Sequence, residues 1–247
     1  ENNKWPKIQA LFLGAFDGIL GRKGSLDGVT YSMPKASKYF VEFREEIIPL
    51  FTKPVDKLLD IGCGSGETSA ELKRLGKVNW VCGVEYNNDA ARVARTRLDE
   101  VIEGDIEKLQ FHFPEGHFDA ILALDILEHL VDPWSVLEKL SKLLKPGGVL
   151  LASIPNVRHF SVILPLVFMG DWRYQEEGLL DSTHIRFFTK KTAETLLKSS
   201  GLIVEAFDHT GAKRGSFSGF MNRITFGVFK EFLYFQFLFR AKKINKN

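Results

Sequence analysis

Residues 55–67 read VDKLLDIGCGSGE, and this stretch decides the fold. A short apolar run leads into Asp60, glycines follow at alternate positions, and residues 67–75 have the spacing of an amphipathic helix. This order predicts a buried strand, a tight turn and the N-terminus of a helix. Glycines at alternate positions let the backbone approach a bound molecule closely, so the turn is a predicted ligand site.

The form of this turn narrows the class of ligand. A dinucleotide fingerprint needs the pattern G-x-G-x-x-G, whereas this turn reads G-x-G-x-G and has Glu67 in place of a glycine. Asp60 would also bring a second anion close to a diphosphate, which Coulomb repulsion opposes. A ligand with a cationic end therefore fits the sequence better than a dinucleotide.

Predicted strands and helices alternate along the rest of the chain. Apolar runs predict further strands at residues 80–85, 101–104, 118–124, 148–154, 202–207 and 231–240. Helical spacing predicts helices at residues 34–50, 88–98, 133–144 and 190–200. Asn88 and Thr189 are the predicted caps of the second and the last of these helices. Glu85 ends the second strand and would face the same crevice as the glycine turn.

Three segments together resemble a known family. The residues D-I-G-C-G-S-G at 60–66 resemble motif I of the class I S-adenosylmethionine-dependent methyltransferases. F-D-A-I-L-A-L-D-I-L-E-H-L at 118–130 and L-L-K-P-G-G-V-L-L-A-S-I-P-N at 143–156 resemble its later motifs, in the same order. The resemblance implies an α/β fold with a doubly wound, Rossmann-like sheet of seven mostly parallel strands, the last of them antiparallel.

We predict a helical and loop cap at residues 1–50, followed by a cofactor-binding methyltransferase domain at residues 51–247. An insert after the fifth strand, around residues 157–188, would contribute to the acceptor site. Within it, residues 160–169 are apolar but too short to cross a bilayer. They would line the acceptor site, or contact a lipid surface or a second chain.

The resemblance implies that the cofactor is S-adenosylmethionine and that the product is S-adenosylhomocysteine. Glu85 would bind the ribose hydroxyls, while Asp105 and Ile106 would contact the adenine. The plain alternatives are an exposed strand-end Glu85, a turn-capping Asp105 and an Asp125 that only turns the chain. The candidate cofactor-binding residues are Asp60, Gly62, Cys63, Gly64, Gly66, Glu85, Tyr86, Asp105, Ile106, Leu124 and Asp125.

The predicted acceptor site is drawn from residues outside the cofactor motifs. Its candidates are Tyr39, Arg44, Asn156, Asp181 and Arg186. Removal of a proton from a hydroxyl acceptor requires a base, and a histidine suits that role. His184, oriented by Asp181 or Arg186, is the first candidate, and His129 is the second. A packed Tyr39, a surface ion pair at Arg44 and hydrogen-bonded structural histidines are the alternatives.

We predict O-methylation of a small hydroxylated acceptor, namely a sugar, a nucleotide sugar or a glycan intermediate. The alternatives are a quinone or polyketide phenol, a lipid-linked acceptor, or an inactive methyltransferase-like binding module. The fourth strand is followed by D-I-L-E-H-L and not by an Asn/Asp-Pro-Pro-Tyr/Phe tetrad, which disfavours methylation of nucleobase amines or amide nitrogens. No metal is expected, since no set of acids for a magnesium site is evident.

Composition limits the partners. The 247 residues carry 33 basic and 31 acidic side chains, a net charge of +2, which offers no broad cationic field for nucleic acid. Two cysteines without metal-ligand spacing are typical of a reducing compartment. We therefore expect a cytoplasmic protein with a small-molecule acceptor, no membrane span, and either a monomeric or a homodimeric state. A peripheral membrane contact stays open.

Overall fold

The structure is a computed structural model, and it describes residues 43–211 and 230–244. Tyr39 and most of the predicted N-terminal cap lie outside these ranges. The same is true of residues 212–229, where the sequence predicts a Phe-rich helix that includes Phe217, Phe220, Met221, Ile224 and Phe229. Of the helix predicted at residues 34–50, the described part is a 3-10 helix at Glu45–Leu50.

Seven strands form one sheet. They are β1 Val55–Ile61, β2 Val78–Glu85, β3 Glu100–Glu103, β4 Phe118–Leu124, β5 Leu144–Pro155, β6 Leu202–His209 and β7 Gln236–Lys243. Their order across the sheet is β3-β2-β1-β4-β5-β7-β6. The pairs from β3 to β5 are parallel, whereas β7 runs antiparallel to both β5 and β6. The predicted seven-stranded, doubly wound sheet with an antiparallel last strand is confirmed.

Five α-helices connect these strands within the described ranges. They are α1 Glu67–Arg74, α2 Asn88–Ala94, α3 Pro133–Leu143, α4 Phe160–Met169 and α5 Lys190–Ser199. Thr189 caps α5 through a reciprocal hydrogen-bonded pair with Thr192, as predicted. The predicted cap Asn88 is wrong by one residue, because the Asn87 side chain accepts from the amides of Asp89 and Ala90.

The start of the last strand also differs from the prediction. The segment predicted as a strand from residue 231 begins as a 3-10 helix at Lys230–Leu233, and β7 starts only at Gln236. Phe237 and Phe239 are fully buried in the sheet, while Phe235 is 37% exposed. The run of aromatic residues therefore extends beyond the strand, which explains why hydrophobicity alone misplaced its start.

Both faces of the sheet are covered. Side chains of successive strand residues point to opposite faces. Leu59 lies in the larger apolar cluster with α3 and α5, and its neighbour Leu58 lies in the second cluster with α1 and α2. Leu58, Leu59, Leu122 and Phe237 are no more than 1% exposed. This two-sided burial is the reason that the central strands are apolar throughout.

The order of strands creates one crevice. β1 lies between β2 and β4, so the chain leaves β1 in one direction across the sheet and returns to the other side for β4. Ligands of open α/β sheets bind outside the carboxyl ends of strands at such a switch point. The glycine turn follows β1 directly, and Asp125 follows β4 directly.

The insert after β5 has its own small core. It contains α4, and Val162, Leu179 and Leu180 pack together with Trp172 and Phe187. A parallel bridge between Asn156 and Phe188 fixes the end of the insert to the end of β5. In the described ranges no helix combines the length and apolar character needed to cross a bilayer.

We expect Phe237→Ala to lower the free energy of unfolding by about 3 to 5 kcal/mol, because it leaves a cavity at a fully buried position. Phe235→Ala is the matched control two residues away, where partial exposure predicts a clearly smaller loss. Urea unfolding of both variants measures the difference. Equal losses would show that β7 does not contribute to the core as described.

Candidate active site

The glycine turn has the backbone that its sequence predicts. Gly62, Gly64 and Gly66 have φ values of +68°, +55° and +78°, in the left-handed region that side chains disfavour. A Cβ atom at position 62 would lie 2.5 Å from the Ile126 side chain. The amide of Gly62 donates to the carbonyl of Val84 at 2.8 Å, which fixes the turn to the end of β2. The turn is therefore held open as a backbone-lined cradle.

Glu85 closes this cradle from the side of β2. Its Oε2 accepts from the amide of Gly64 at 2.8 Å, and its Oε1 accepts from the amide of Asn87 at 2.8 Å. The residue is 7% exposed, so it is not the surface side chain of the plain alternative. A carboxylate oxygen accepts more than one hydrogen bond, so both oxygens retain capacity for ribose hydroxyls.

Asp60 lies beneath the turn. Its Oδ2 accepts from the Ser69 hydroxyl of α1 at 2.7 Å, and the residue is 4% exposed. Burial raises the pKa of Asp60 to about 7; the Ser69 hydrogen bond opposes this shift and the nearby Glu85 charge adds to it. Near neutral pH this carboxyl therefore changes charge directly behind the predicted ligand site.

The predicted adenine contacts lie at the end of β3. The Gly104 amide donates to the Glu85 carbonyl at 2.9 Å, which places Asp105 beside the end of β2. Asp105 is bonded to Lys108 at 2.9 Å, and this hydrogen bond is the main cause that lowers the pKa of its carboxyl. Ile106 is buried, whereas Tyr86 is 75% exposed.

Cys63 and Leu124 are half-buried at the ends of β1 and β4. A Cβ atom at Gly83 would lie 2.6 Å from the Cys63 sulfur, so this glycine is needed to admit the cysteine. Burial strongly raises the pKa of the Cys63 thiol, which keeps it protonated and a poor nucleophile. Cys63 thus contributes packing to the cradle.

Arg44 and Asp125 are brought together, although the sequence assigned them to different ligands. Arg44 forms an ion pair with Asp125, and their side chains are 14% and 23% exposed. Arg44 Nη2 donates to the Ser153 hydroxyl at 3.1 Å and to the Gln236 side-chain oxygen at 2.9 Å. Ser153 and Gln236 in turn donate to Asp125 Oδ1. Arg44 is therefore part of a half-buried network and not a surface ion-pair partner.

Asp125 itself has an unusual backbone. Its φ of +51° lies in the left-handed region, which is uncommon for a residue with a side chain. Such conformations cost about 1 to 3 kcal/mol and concentrate at functional sites. The hydrogen bonds from Ser153 and Gln236 hold the side chain in this position.

The two candidate bases lie side by side. His129 follows β4 and His184 comes from the insert, and their rings pack edge to face with centroids 4.7 Å apart. His184 is 6% exposed, and its Nδ1 lies 3.2 Å from the Leu179 carbonyl. His129 Nδ1 lies 3.1 Å from the Thr183 carbonyl. A backbone carbonyl thus lies at Nδ1 of each ring, where the sequence suggested Asp181 or Arg186 for His184; the Thr183 hydroxyl also lies 3.1 Å from Nδ1 of His129 and donates to Asp181.

The remaining predicted acceptor residues have contacts of a structural kind. Asn156 is fully buried, and its amide nitrogen donates to the carbonyls of Glu231 and Tyr234 at 2.7 and 2.8 Å. Both amide hydrogens are used there, so none is left for a ligand. Asp181 accepts from the amide and the hydroxyl of Thr183. Arg186 bonds to the Val131 carbonyl and lies over the Trp134 ring.

Sequence reasoning missed three polar residues at this edge of the sheet. Ser153 and Gln236 complete the Arg44–Asp125 network, and Glu128 lies beside His184. Glu128 was visible as a charged residue between apolar neighbours in D-I-L-E-H-L. Gln236 carried no comparable signal, because it meets Asp125 only through the pairing of β5 with β7.

Asp60 generates a prediction about pH. Its folded pKa is raised, so the folded chain binds this proton more tightly than the unfolded chain, and stability falls as the pH rises from about 4 through 7. Asp60→Asn keeps a neutral side chain at every pH and should remove about 3 kcal/mol of this dependence between pH 5 and pH 8, at about 1.4 kcal/mol for each pH unit up to the folded pKa. Urea unfolding at pH 5 and pH 8 measures it.

The control is Asp89→Asn, at a side chain that is 86% exposed, which should keep the pH dependence of the unchanged protein. The stability of Asp60→Asn relative to the unchanged protein should be about 3 kcal/mol greater at pH 8 than at pH 5. A constant difference between the two at both pH values would contradict a neutral, buried Asp60.

Comparison with known proteins agrees with this geometry. A family model described as "Methyltransferase domain" matches residues 36–206. The human "Ubiquinone biosynthesis O-methyltransferase, mitochondrial" is 31% identical over 175 residues, which cover 66% of this chain and 45% of that protein. The "27-O-demethylrifamycin SV methyltransferase" of Amycolatopsis mediterranei (strain S699) is 28% identical over 155 residues, covering 59% and 56%. The chain thus spans about half the length of these curated relatives.

Solved structures show the same fold. An S-adenosylmethionine-dependent methyltransferase from Methanosarcina mazei has a TM-score of 0.58 at 20% identity, covering 83% of this chain and all of that one. One from Archaeoglobus fulgidus has a TM-score of 0.58 at 19% identity, covering 80% and 90%. The family resemblance predicted from the three motifs is confirmed, and with it S-adenosylmethionine as the cofactor of the family. This chain belongs to the class I S-adenosylmethionine-dependent methyltransferases.

Proposed function

We propose that this protein is an S-adenosylmethionine-dependent O-methyltransferase that acts on a phenolic hydroxyl of a quinone-like or polyketide-like small molecule. The observation that carries the activity is the Glu85 carboxylate bound to the Gly64 amide at the switch point of the sheet. A cradle of three left-handed glycines with a carboxylate at its side suits a nucleoside that carries a positive charge.

The predicted cofactor residues fit this ligand. The left-handed glycines leave the space that Cβ atoms would fill, and Glu85 and Asp105 lie at adjacent strand ends, where a ribose and an adenine amine would meet acceptors. When bound, the cofactor supplies an electrophilic methyl group on a sulfonium sulfur. Asp125 would contribute negative charge near its cationic end, and Asp60, behind the turn with a pKa of about 7, would add to it when ionised.

Asp125 is protected from methylation by its partners. A bare carboxylate close to the methyl group would itself be a nucleophile. Here one oxygen of Asp125 is paired with Arg44, and the other accepts from Ser153 and Gln236. These contacts lower its nucleophilicity and fix its place, so that the carboxylate acts on the cofactor by its charge.

The acceptor class follows from the relatives and from the insert. The relatives reported above are named for ubiquinone and rifamycin, which favours the quinone and polyketide alternative over the sugar that the sequence first suggested. The exposed end of α4 carries Val167 and Phe168, both 66% exposed, in the insert that follows the carboxyl end of β5. We infer that the insert at residues 157–188 forms an apolar wall for an aromatic acceptor.

His129 and His184 provide the polar part of the acceptor side. Catalysis by this enzyme would consist mainly of orienting the hydroxyl oxygen in line with the methyl carbon and sulfur. The acceptor hydroxyl must also lose its proton, and the two imidazoles are the groups placed to weaken its O–H bond. A cytoplasmic location and the choice between monomer and homodimer stay predictions.

Glu85→Gln should weaken binding of S-adenosylhomocysteine by at least about tenfold, because an amide replaces one ribose acceptor and repels the Gly64 amide. Isothermal titration calorimetry measures the affinity. Glu103→Gln is the matched control, since Glu103 pairs with Glu85 in register on β3 but forms its ion pair with Arg95 at the surface. Glu103→Gln should bind S-adenosylhomocysteine with the same affinity as the unchanged protein.

Two results would decide against this assignment. If the unchanged protein did not bind S-adenosylhomocysteine, the chain would be a scaffold that keeps only the fold. If Glu103→Gln weakened binding as much as Glu85→Gln, the effect would be one of general charge and the ribose role of Glu85 would be lost.

Dihydroxylated phenols should be methylated at least about tenfold faster than nucleotide sugars, because the insert presents exposed apolar side chains such as Val167 and Phe168. A panel assay with labelled methyl donor compares initial rates at equal acceptor concentration. Turnover of nucleotide sugars alone would restore the sugar assignment and contradict the apolar wall.

A further inference from the structure

Three side chains from two distant segments converge at the acceptor side. Glu128, His129 and His184, named here the Glu–His–His cluster, have ligand atoms that all lie within 4.8 Å of one another. Glu128 is 1% exposed and His184 is 6% exposed, while His129 is half-buried. The carboxylate oxygens of Glu128 and the Nε2 atom of His129 are themselves shielded from solvent, so the cluster is enclosed.

Both histidines have their Nδ1 atoms fixed by backbone carbonyls. The carbonyls belong to Thr183 for His129, at 3.1 Å, and to Leu179 for His184, at 3.2 Å. A neutral imidazole that donates from Nδ1 has its lone pair on Nε2. This arrangement, in which a carbonyl fixes the tautomer and the ring orientation, is typical of histidines that bind metals.

The distance between His184 and Glu128 supports a shared ion. His184 Nε2 lies 3.9 Å from Glu128 Oε1, which is too long for a hydrogen bond. Two donors on one zinc ion, with bonds of roughly 2.0 to 2.2 Å, lie about 3 to 4 Å apart. A small contraction of the cluster would therefore bring all three ligand atoms to a common ion.

The backbone holds the two segments together. The amides of Ile185 and Arg186 both donate to the Glu128 carbonyl at 3.0 Å. The insert is thus anchored at the residues next to the ligands, and the cluster does not depend on long, mobile side chains. Preorganisation of this kind is what a functional metal site requires.

The bland explanation is a buried ion pair between a protonated His184 and Glu128. Such a pair is stable only with short, well-aligned contacts that offset the loss of water. The 3.9 Å separation does not provide one between these two groups, and this explanation gives no role to the ring of His129, which packs against His184. A bound cation would use all three side chains together.

The donor set selects the kind of ion. Two imidazole nitrogens and one carboxylate suit zinc or a similar transition ion, whereas magnesium and calcium prefer oxygen ligands. Three protein ligands leave one position of a tetrahedral zinc ion open, as in catalytic sites with a His₂Glu set. His129 is the least buried of the three residues, so a further ligand would approach from its side.

We propose that Glu128, His129 and His184 bind one divalent zinc-type ion, whose open position takes the hydroxyl of the methyl acceptor. The second half of this proposal rests on the proposed function, whereas metal binding does not. The bound hydroxyl would release its proton to solvent and attack as an oxyanion; the new O–CH₃ bond forms as the S–CH₃ bond breaks, leaving its electron pair on sulfur. This replaces the expectation from sequence that no metal is bound.

The test uses tag-free protein, stripped with a chelator and dialysed. Titration with Zn²⁺ should show one equivalent bound, and Co²⁺ should give the visible absorption bands of a tetrahedral site with nitrogen ligands. Glu128→Gln, which keeps the side-chain shape, and His184→Ala should each weaken Zn²⁺ binding by about 100-fold or more. Circular dichroism and thermal unfolding establish that each variant is folded.

His112→Ala is the matched control. His112 also lies near a glutamate, with its Nε2 3.3 Å from Glu100 Oε1, but its side chain is 64% exposed. Its removal should leave Zn²⁺ stoichiometry and the Co²⁺ spectrum unchanged. If His112→Ala removed the bound ion and Glu128→Gln did not, the ion would lie at the surface pair and the proposal would be overturned.

The remaining outcomes separate the two proposals. A stripped protein that binds S-adenosylhomocysteine but takes up no Zn²⁺ or Co²⁺ disproves the metal site and leaves the proposed function intact. A protein that binds one Zn²⁺ but no S-adenosylhomocysteine supports the metal site and disproves the proposed function. Full methyl transfer by the stripped protein would overturn the catalytic half, whereas loss of at least about tenfold with recovery on Zn²⁺ addition would support it.

Discussion

The central constraint of this fold is that β1 lies between β2 and β4. This strand order brings the Glu85 carboxylate at the end of β2 within hydrogen-bond distance of the Gly64 amide after β1. Because these strands are parallel, their carboxyl ends meet at one edge, which the turns after β1, β2 and β4 share. The left-handed glycines let the first turn pass close beneath the others. The cofactor side is thus built almost entirely by the backbone.

A second constraint is the concentration of negative charge at this edge. Asp60 and Glu85 are both buried there, and the pKa of Asp60 rises to about 7, chiefly because of burial. Arg44 supplies the opposing charge at Asp125, one strand further along the sheet. Buried carboxyl groups beside the glycine turn favour a ligand whose own charge is positive, which agrees with the family.

Sequence predicts the strand, turn and helix at this edge well because their signals are local. The strand, turn and helix at residues 55–67 are contiguous, and Thr189 caps the helix that begins at the next residue. The errors are also local: Asn87 replaces Asn88 as the cap, and β7 starts at Gln236 because the aromatic run continues outside the strand. What sequence could not predict are contacts across the sheet, such as the hydrogen bond from Gln236 to Asp125.

The acceptor side depends on such contacts between residues that are distant in sequence. His184 was predicted as a base from its own neighbourhood, yet the groups that determine its chemistry are the Leu179 carbonyl behind it and Glu128 in front of it. An imidazole whose Nδ1 is occupied and whose Nε2 faces a buried carboxylate and a second imidazole is poorly placed to exchange protons with solvent. It is well placed to donate its lone pair to a cation. A residue type that suggests general-base catalysis in the sequence therefore favours metal-assisted activation once its neighbours are known.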